Sequence, residues 1–394
     1  MTWTADELNR NRANKYTQNI DAFLGLRNVA QSRRQPVGAL HEAINVDIDD
    51  EGGILSRTGY VPSLTMTAVT AAFTPLDHQT AYLVDNGHAK RVYPDGTVID
   101  LGAVRDGTVY WAEAGNRVFM STGHILYNNG VLDLIVLPPN APSISVIPGS
   151  FQEGQYQVIT TRVTADGRES GSSVVTVMYL AAGSGIYLQG VEGCNVYLTA
   201  ANGDVFYFVG HETSQIVDEP SVLAYPIEDV LITANPIPYG LGPIAYYDSC
   251  LYYSKYDQTT HTTLIGWSKP FRWHVCDASA DYFQVPGEVR MLAVADGTLV
   301  IGTDRQILTY DGESIQKVAA YGVPKGHVAS YTRDGQLFFQ SKRGVCTMPF
   351  ANLTLDKVAL PVEGNCATAL IDLSGFERLI TLTDGKGRTD NSTI

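Results

Sequence analysis

Short runs rich in β-branched and aromatic residues recur along the chain in pairs, each pair joined by a turn. TAYLV and HAKRVY, at 80–84 and 88–93, end in Pro94-Asp95-Gly96, and RVFMS and HILY, at 117–121 and 124–127, end in Asn128-Asn129-Gly130. The pattern resumes with CLYYS and LIGWS (250–254, 264–268), TLVIG and QILTY (298–302, 306–310), QLFFQ and GVCTM (336–340, 344–348), and ERLITLT from 377. Asp-Gly and Asn-Gly suit the turns because tight hairpins need φ > 0, which glycine and asparagine tolerate. The units start at 80, 117, 250, 298, 336 and 377, spaced by 37, 133, 48, 38 and 41 residues. Four of these spacings lie near the ~40–45 residues of a four-stranded propeller blade, so the pattern predicts an all-β propeller of about six blades.

The long spacing exceeds its neighbours by about 95 residues, which marks an insertion at 141–235. Proline-rich LPPNAPSISV opens it and TANPIPYGLGP closes it. Between them QYQVITTRVT, SSVVTVMYL, GIYLQG, CNVYLTA and VFYFVG, with turns at Ala165-Asp166-Gly167-Arg168 and Asn202-Gly203-Asp204, predict a β-sandwich of about six or seven short strands. The segment holds one cysteine and no tryptophan, so the fibronectin-like variety suits it better than the antibody variety. The expected organisation is an extended N-terminal arm at 1–40, a first propeller part at 41–140, the inserted immunoglobulin/fibronectin-like sandwich at 141–235 and a second propeller part at 236–394. No body segment shows a sustained 3.6-residue period. The best helix candidate is ADELNRNRANKY, capped by Thr4.

Composition narrows the function. With 27 basic against 41 acidic residues the net charge is −14, the opposite of what a nucleic-acid-gripping surface carries. No stretch approaches the ~18 apolar residues of a membrane span. The polar start, MTWTADELNRNRANKYTQ, lacks an apolar leader core, which predicts synthesis and retention in a cytoplasm. Five widely spaced cysteines (Cys194, Cys250, Cys276, Cys346, Cys366) form no CxxC pair and are expected to be buried thiols.

Candidate chemistry is sparse. In INVDIDDEGGILSRTGY (44–60), Asp47, Asp49, Glu51 and Gly52 match positions 1, 3, 5 and 6 of a calcium loop, but position 12 is Thr58, which cannot supply the bidentate carboxylate. The apolar alternation on both sides predicts a hairpin with solvated acids instead. There is no GxSxG, HExxH, GxGxxG, Walker or SxDxGxxW pattern, and the eight histidines form no close pair. No enzymatic activity, metal or cofactor is expected. Trp267-Ser268-Lys269-Pro270 with Arg272-Trp273-His274 is the densest aromatic cluster, so Trp267 and Trp273 are the candidates for a glycan platform or for a core or subunit contact.

The run GLRNVAQSRRQPVGALHEAINVDIDDEGGILSRTGY resembles a phrase of tailed-bacteriophage virion proteins, in which it leads into a β-propeller. The matching residues are Gly25, Leu26, Asn28, Gly38, Ala39, Leu40, Ala43, Asn45, Val46, Asp47, Ile48, Asp49, Gly52 or Gly53, Ile54, Arg57 and Gly59. GPIAYYDSCLYYSKYD with LIGWSKPF, and VTADGRESGSS in the insertion, are similar to further phrases of that group. Thr58 departs from the Arg or Pro that the pattern carries before its glycine. The resemblance implies a tail nozzle or hub subunit of a short-tailed phage, located in the virion and assembled in the host cytoplasm. Such subunits form a homo-oligomeric ring, commonly a hexamer, below portal and adaptor proteins and beside tail fibres or spikes. DNA passes through without specific binding, which an acidic lumen favours. Trp3, Phe23 and Leu26 are the candidate inter-subunit contacts of the arm. The reading from a different class is a host-surface glycan recognition module.

Overall fold

CLYYS, at 250–254, is buried at every position, so this strand has no solvent face. Leu251 and Tyr253 point into one apolar cluster, Cys250 and Tyr252 into another. A strand of this kind must be covered on both sides, and its sheet lies between two others.

The structure, a computed structural model, describes residues 39–40, 46–48, 53–56, 65–76, 79–104, 108–115, 117–121, 125–126, 135–219, 225–238, 240–332, 334–348, 352–353, 364–373 and 376–383. It is all-β, built of many small sheets. Sheet one holds Val69–Phe73, Ala81–Asp85, His88–Val92 and Val98–Ala103, in that order. Sheet two holds Tyr110–Ala114, Arg117–Ser121 and Ile125–Leu126. Sheet three follows with Ile244–Tyr247, Cys250–Asp257, Thr262–Trp267 and Tyr282–Pro286, and sheet four with Val289–Ala295, Thr298–Thr303, Ile307–Tyr310 and Ile315–Ala319. Sheet five holds Ala329–Tyr331, Leu337–Gln340, Val345–Thr347 and Asn352–Leu353. Sheet six pairs Asn365–Leu373 with Phe376–Thr383 on one side and, in parallel, with Lys325–His327 on the other.

Five of the six sequence units coincide with second strands of these sheets, each preceded by its sheet's first strand, and the sixth falls on Phe376–Thr383, the edge strand of sheet six. Apolar clusters fill the spaces between successive sheets. Tyr82, Val84, Trp111 and Met120 join sheets one and two, and Ala112, Phe119, Leu251 and Tyr253 join two and three. Tyr252, Ile265, Leu299 and Ile301 join three and four, while Val300, Phe339, Cys346 and Cys366 join four, five and six. All five cysteines are buried thiols.

The segment between sheets two and three forms two further sheets sharing one core. Ser143–Phe151, Ser184–Gln189 and Gln215–Ile216 make the first, while Gly154–Val163 is central to the second. That long strand pairs along one edge with Glu169–Ser172 and Thr176–Leu180, and along the other with Cys194–Thr199, which pairs in turn with Phe206–His211. Phe151, Ile186 and Leu188 of the first sheet pack on Tyr156, Val158 and Leu198 of the second. Eight strands are present where six or seven are expected. A one-turn helix, Asp229–Thr233, places Leu231 with Ile227 over Ile159 and Tyr197 on the outer face of the second sheet.

The insertion closes tightly on its own exit segment and is fastened to the body by polar contacts. A Cβ on Gly171 would lie 2.0 Å from the Ala234 carbonyl oxygen, so only glycine fits there. His274 Nε2 bonds the Glu169 carbonyl oxygen at 2.8 Å, and Arg272 forms an ion pair with Glu228.

Near the start of the chain Val46–Ile48 pairs antiparallel with Ile54–Ser56, Ile48 opposite Ile54. This backbone pairing sets Ile54–Ser56 beside Asp47, an arrangement that a calcium loop running from 47 to 58 does not have. The candidate N-terminal helix and the arm at 1–38 lie outside the described residues.

Two outcomes follow from this packing. Phe339→Ala empties a fully buried position and should cost about 3–5 kcal/mol in urea unfolding. Gly171→Val should leave the six-sheet body folded but push the exit segment of the insertion away from Glu169–Ser172, seen as faster proteolysis within 225–238 than in the unaltered protein.

Candidate functional site

The inner strands Val69–Phe73, Tyr110–Ala114, Ile244–Tyr247, Val289–Ala295, Ala329–Tyr331 and Asn365–Leu373 each come from a different sheet, and all six line one cavity of about 500 Å³. Lys325–His327 reaches the same wall through Gly326 and His327. Each inner strand contributes an alanine to the lining: Ala72, Ala112, Ala245, Ala293, Ala329 and Ala369. Ala72 and Ala369 are exposed and leave space there, while Ala112, Ala245 and Ala293 also belong to the clusters between sheets.

Aromatic groups form much of the remaining wall. Phe73 stacks on Trp111 with ring centroids 5.8 Å apart and planes 9° from parallel. His327 meets Phe73 edge-on at 5.9 Å and 84°, a contact between sheets six and one. Tyr110, Tyr246 and Tyr331 line it as well.

Burial favours the neutral form of three titratable groups of the wall, His327, Tyr331 and Tyr110. Burial lowers the His327 imidazole to about 4, against an ordinary 6.5. His327 retains some accessible surface although it lies deep in the molecule, because that surface faces the cavity. Burial also raises Tyr331 and Tyr110 to about 12, with Glu288 adding to the rise at Tyr110. The Tyr331 hydroxyl accepts the Val294 N–H at 2.8 Å. Two charged groups at the wall are engaged elsewhere, and a third, Asp296, is exposed in the turn after Val289–Ala295. Arg290 pairs with Glu288 at 2.8 Å, and Glu113 Oε2 accepts the Leu76 N–H at 2.7 Å.

Trp267 and Trp273, six residues apart in sequence, serve opposite faces of sheet three. Trp267 stacks on Tyr252 at 5.5 Å and touches Phe283, in the cluster shared with sheet four. Trp273 lies edge-on to Phe119 at 5.4 Å with the Arg117 guanidinium 4.4 Å from its ring, in the cluster shared with sheet two. The structure does not bring them together as one platform. Phe271, between them, is 70% exposed with φ 56. Trp3, Phe23 and Leu26 lie outside the described residues. Sequence reasoning missed Phe73, Trp111, His327 and Tyr331. The available signal was an alanine in the short run preceding each unit.

Among the described residues no group of three or more His, Cys, Asp and Glu side chains is placed to hold a metal. No helix among them is long and apolar enough to cross a membrane.

No family model and no curated protein matches the chain. Solved structures with some likeness include Hsv2p of Kluyveromyces lactis, at 10% identity and a TM-score of 0.32, covering 80% of this chain and 89% of that one. Virginiamycin B lyase from Staphylococcus aureus gives 11% and 0.29, covering 80% and 92%. Dipeptidyl peptidase 4 of Porphyromonas gingivalis gives 11% and 0.27, covering 83% and 43%. At these scores the likeness carries no argument about fold or chemistry.

Because the unfolded chain binds a proton at His327 more readily than the folded one, stability falls as pH drops from 6.5 toward about 4. His274, also lowered by burial, acts in the same direction. Thermal melts should show that fall, and His327→Asn should flatten part of it. An unchanged slope would mean that His327 is not buried in its neutral form.

Proposed function

We propose that this chain is a structural subunit of a tailed-bacteriophage virion, a nozzle or hub protein that works by assembly rather than by catalysis. In this reading the six sheets are the blades of a closed propeller, with Phe73 against His327 at the seam, and the insertion is an immunoglobulin/fibronectin-like module. Copies form a ring, commonly of six, below the portal and adaptor and next to fibres or spikes, and DNA passes through the centre.

The observation that carries the reading is where apolar surface remains in water. Of the twenty large apolar side chains exposed among the described residues, eleven lie between 141 and 235. Val174, Val177, Tyr179 and Tyr225 are 79%, 53%, 67% and 86% exposed. A lone soluble chain gains nothing from such concentration, whereas a subunit that meets neighbours does. The net charge of −14 suits a conduit that must not hold its cargo. The sequence phrases at 25–59 and 242–271 name the virion group this reading draws on.

A second reading, host-surface glycan recognition, is favoured by Phe271 and Tyr225, whose exposed rings offer stacking faces for sugars.

Gold-labelled antibody to this chain, imaged on negatively stained virions, should decorate the tail just below the head. Label confined to the capsid, or absent from virions, would sink the proposal. Val177→Asp combined with Tyr179→Asp should leave unfolding free energy within about 0.5 kcal/mol, because both sites are exposed, yet reduce ring assembly in sedimentation. Binding of the full chain to a glycan array, with loss on Phe271→Ala, would favour the second reading.

A further inference from the structure

We propose that the cavity between the six inner strands is a binding site for a small, neutral aromatic molecule carrying one hydrogen-bonding group. The site lies inside a single chain, so the inference does not depend on ring assembly or on a virion.

Four features point there together. At about 500 Å³ the cavity falls in the ~300–1,000 Å³ range typical of small-molecule sites. Every inner strand lines it with an alanine, and Ala72 and Ala369 leave space there. Its walls present ring faces and edges from Phe73, Trp111, Tyr246 and Tyr331, which favour an aromatic occupant through offset or edge-on contacts.

The fourth feature sets the charge. Arg290 is matched by Glu288, the Glu113 carboxylate receives a backbone N–H, and Asp296 is exposed to water in a turn, so a charged ligand would enter without a dedicated buried counter-ion. His327 is one polar group left for a ligand, beside the Trp111 indole N–H, which is buried without a hydrogen-bond partner among the described residues. Its imidazole lines the cavity, and no described residue gives its ring nitrogens a hydrogen-bond partner. A neutral imidazole offers one donor and one acceptor, so a single amine, hydroxyl or carbonyl on the ligand would satisfy it.

The experiment uses the full chain and N-phenyl-1-naphthylamine, a neutral aromatic probe with one N–H. Trp111 in the wall is a built-in energy donor to it. We expect saturable binding at one site per chain, read as tryptophan-sensitised probe emission. Ala72→Phe and Ala369→Phe project bulk into the cavity from exposed positions, so each should fold normally and weaken binding by about tenfold or more. His327→Phe should weaken it, while Tyr179→Ser, in the exposed strand of the insertion, should bind as the unaltered protein does. No saturable binding overturns the proposal. So does affinity that survives both filled variants, or affinity that disappears with Tyr179→Ser, which would place the probe on the insertion's apolar strand. If one filled variant fails to fold, the other decides.

Discussion

Sheets that are apolar on both faces dictate the rest of this molecule. In sheet three, Leu251 and Tyr252 are neighbours in sequence, point to opposite sides and are both buried. Burying a large side chain on each face is worth roughly 1.5–3 kcal/mol per residue, but only if a partner surface lies on each side. A sheet of this kind cannot sit at the end of a stack. One sheet after another must follow, and a run of them bends around an axis because each sheet is twisted. The narrow ends, the inner strands, then converge, and space is left where they meet.

The insertion meets the same requirement differently. Its two sheets share one core, and the outer face of the second is covered in part by Ile227 and Leu231. The cover stops short of the edge strand Thr176–Leu180, whose outward residues Val177 and Tyr179 stay in water. That strand has neither charge nor proline, the usual devices that discourage edge pairing. Its attachment through Glu169 to His274 and through Glu228 to Arg272 holds the insertion against the body. The exposed strand is thus presented by a fixed module, as an assembly surface would be.

Much of this was legible in the sequence, and the failures have physical causes. The pair at 81–92 stood out because its turn carries glycine at φ > 0, at Asn86-Gly87, whereas the turns at 257–262 and 303–307 hold no glycine and their strands showed through β-branched and aromatic runs alone. The inner strand IAYY escaped notice because it turns into CLYYS through Asp248 and Ser249, at φ 45 and 63, with no glycine to mark the hairpin. The insertion showed through its proline-rich borders, while its edge pairings did not, since two strands share one side of Gly154–Val163. Trp267 and Trp273 looked like one cluster because sequence proximity hides which face of a sheet a side chain takes. The cavity was beyond local reading, for its wall is drawn from residues as distant as Phe73 and Ala369.

The alanines turn this geometry into a choice. Convergence of inner strands creates an axial space in any arrangement of this kind, but leucine or phenylalanine at a few of the six positions would close it with apolar packing. Closing it would also remove the surface on which His327 is exposed, and an apolar residue there would remove the cost of burying an imidazole that lacks a partner. The chain has neither change. It keeps small residues around an opening and sets beside them an imidazole and an indole N–H, of His327 and Trp111, that no described residue satisfies. Those two departures from good core packing fall at one place, which is where departures from the local rules are expected when a space is kept for something else.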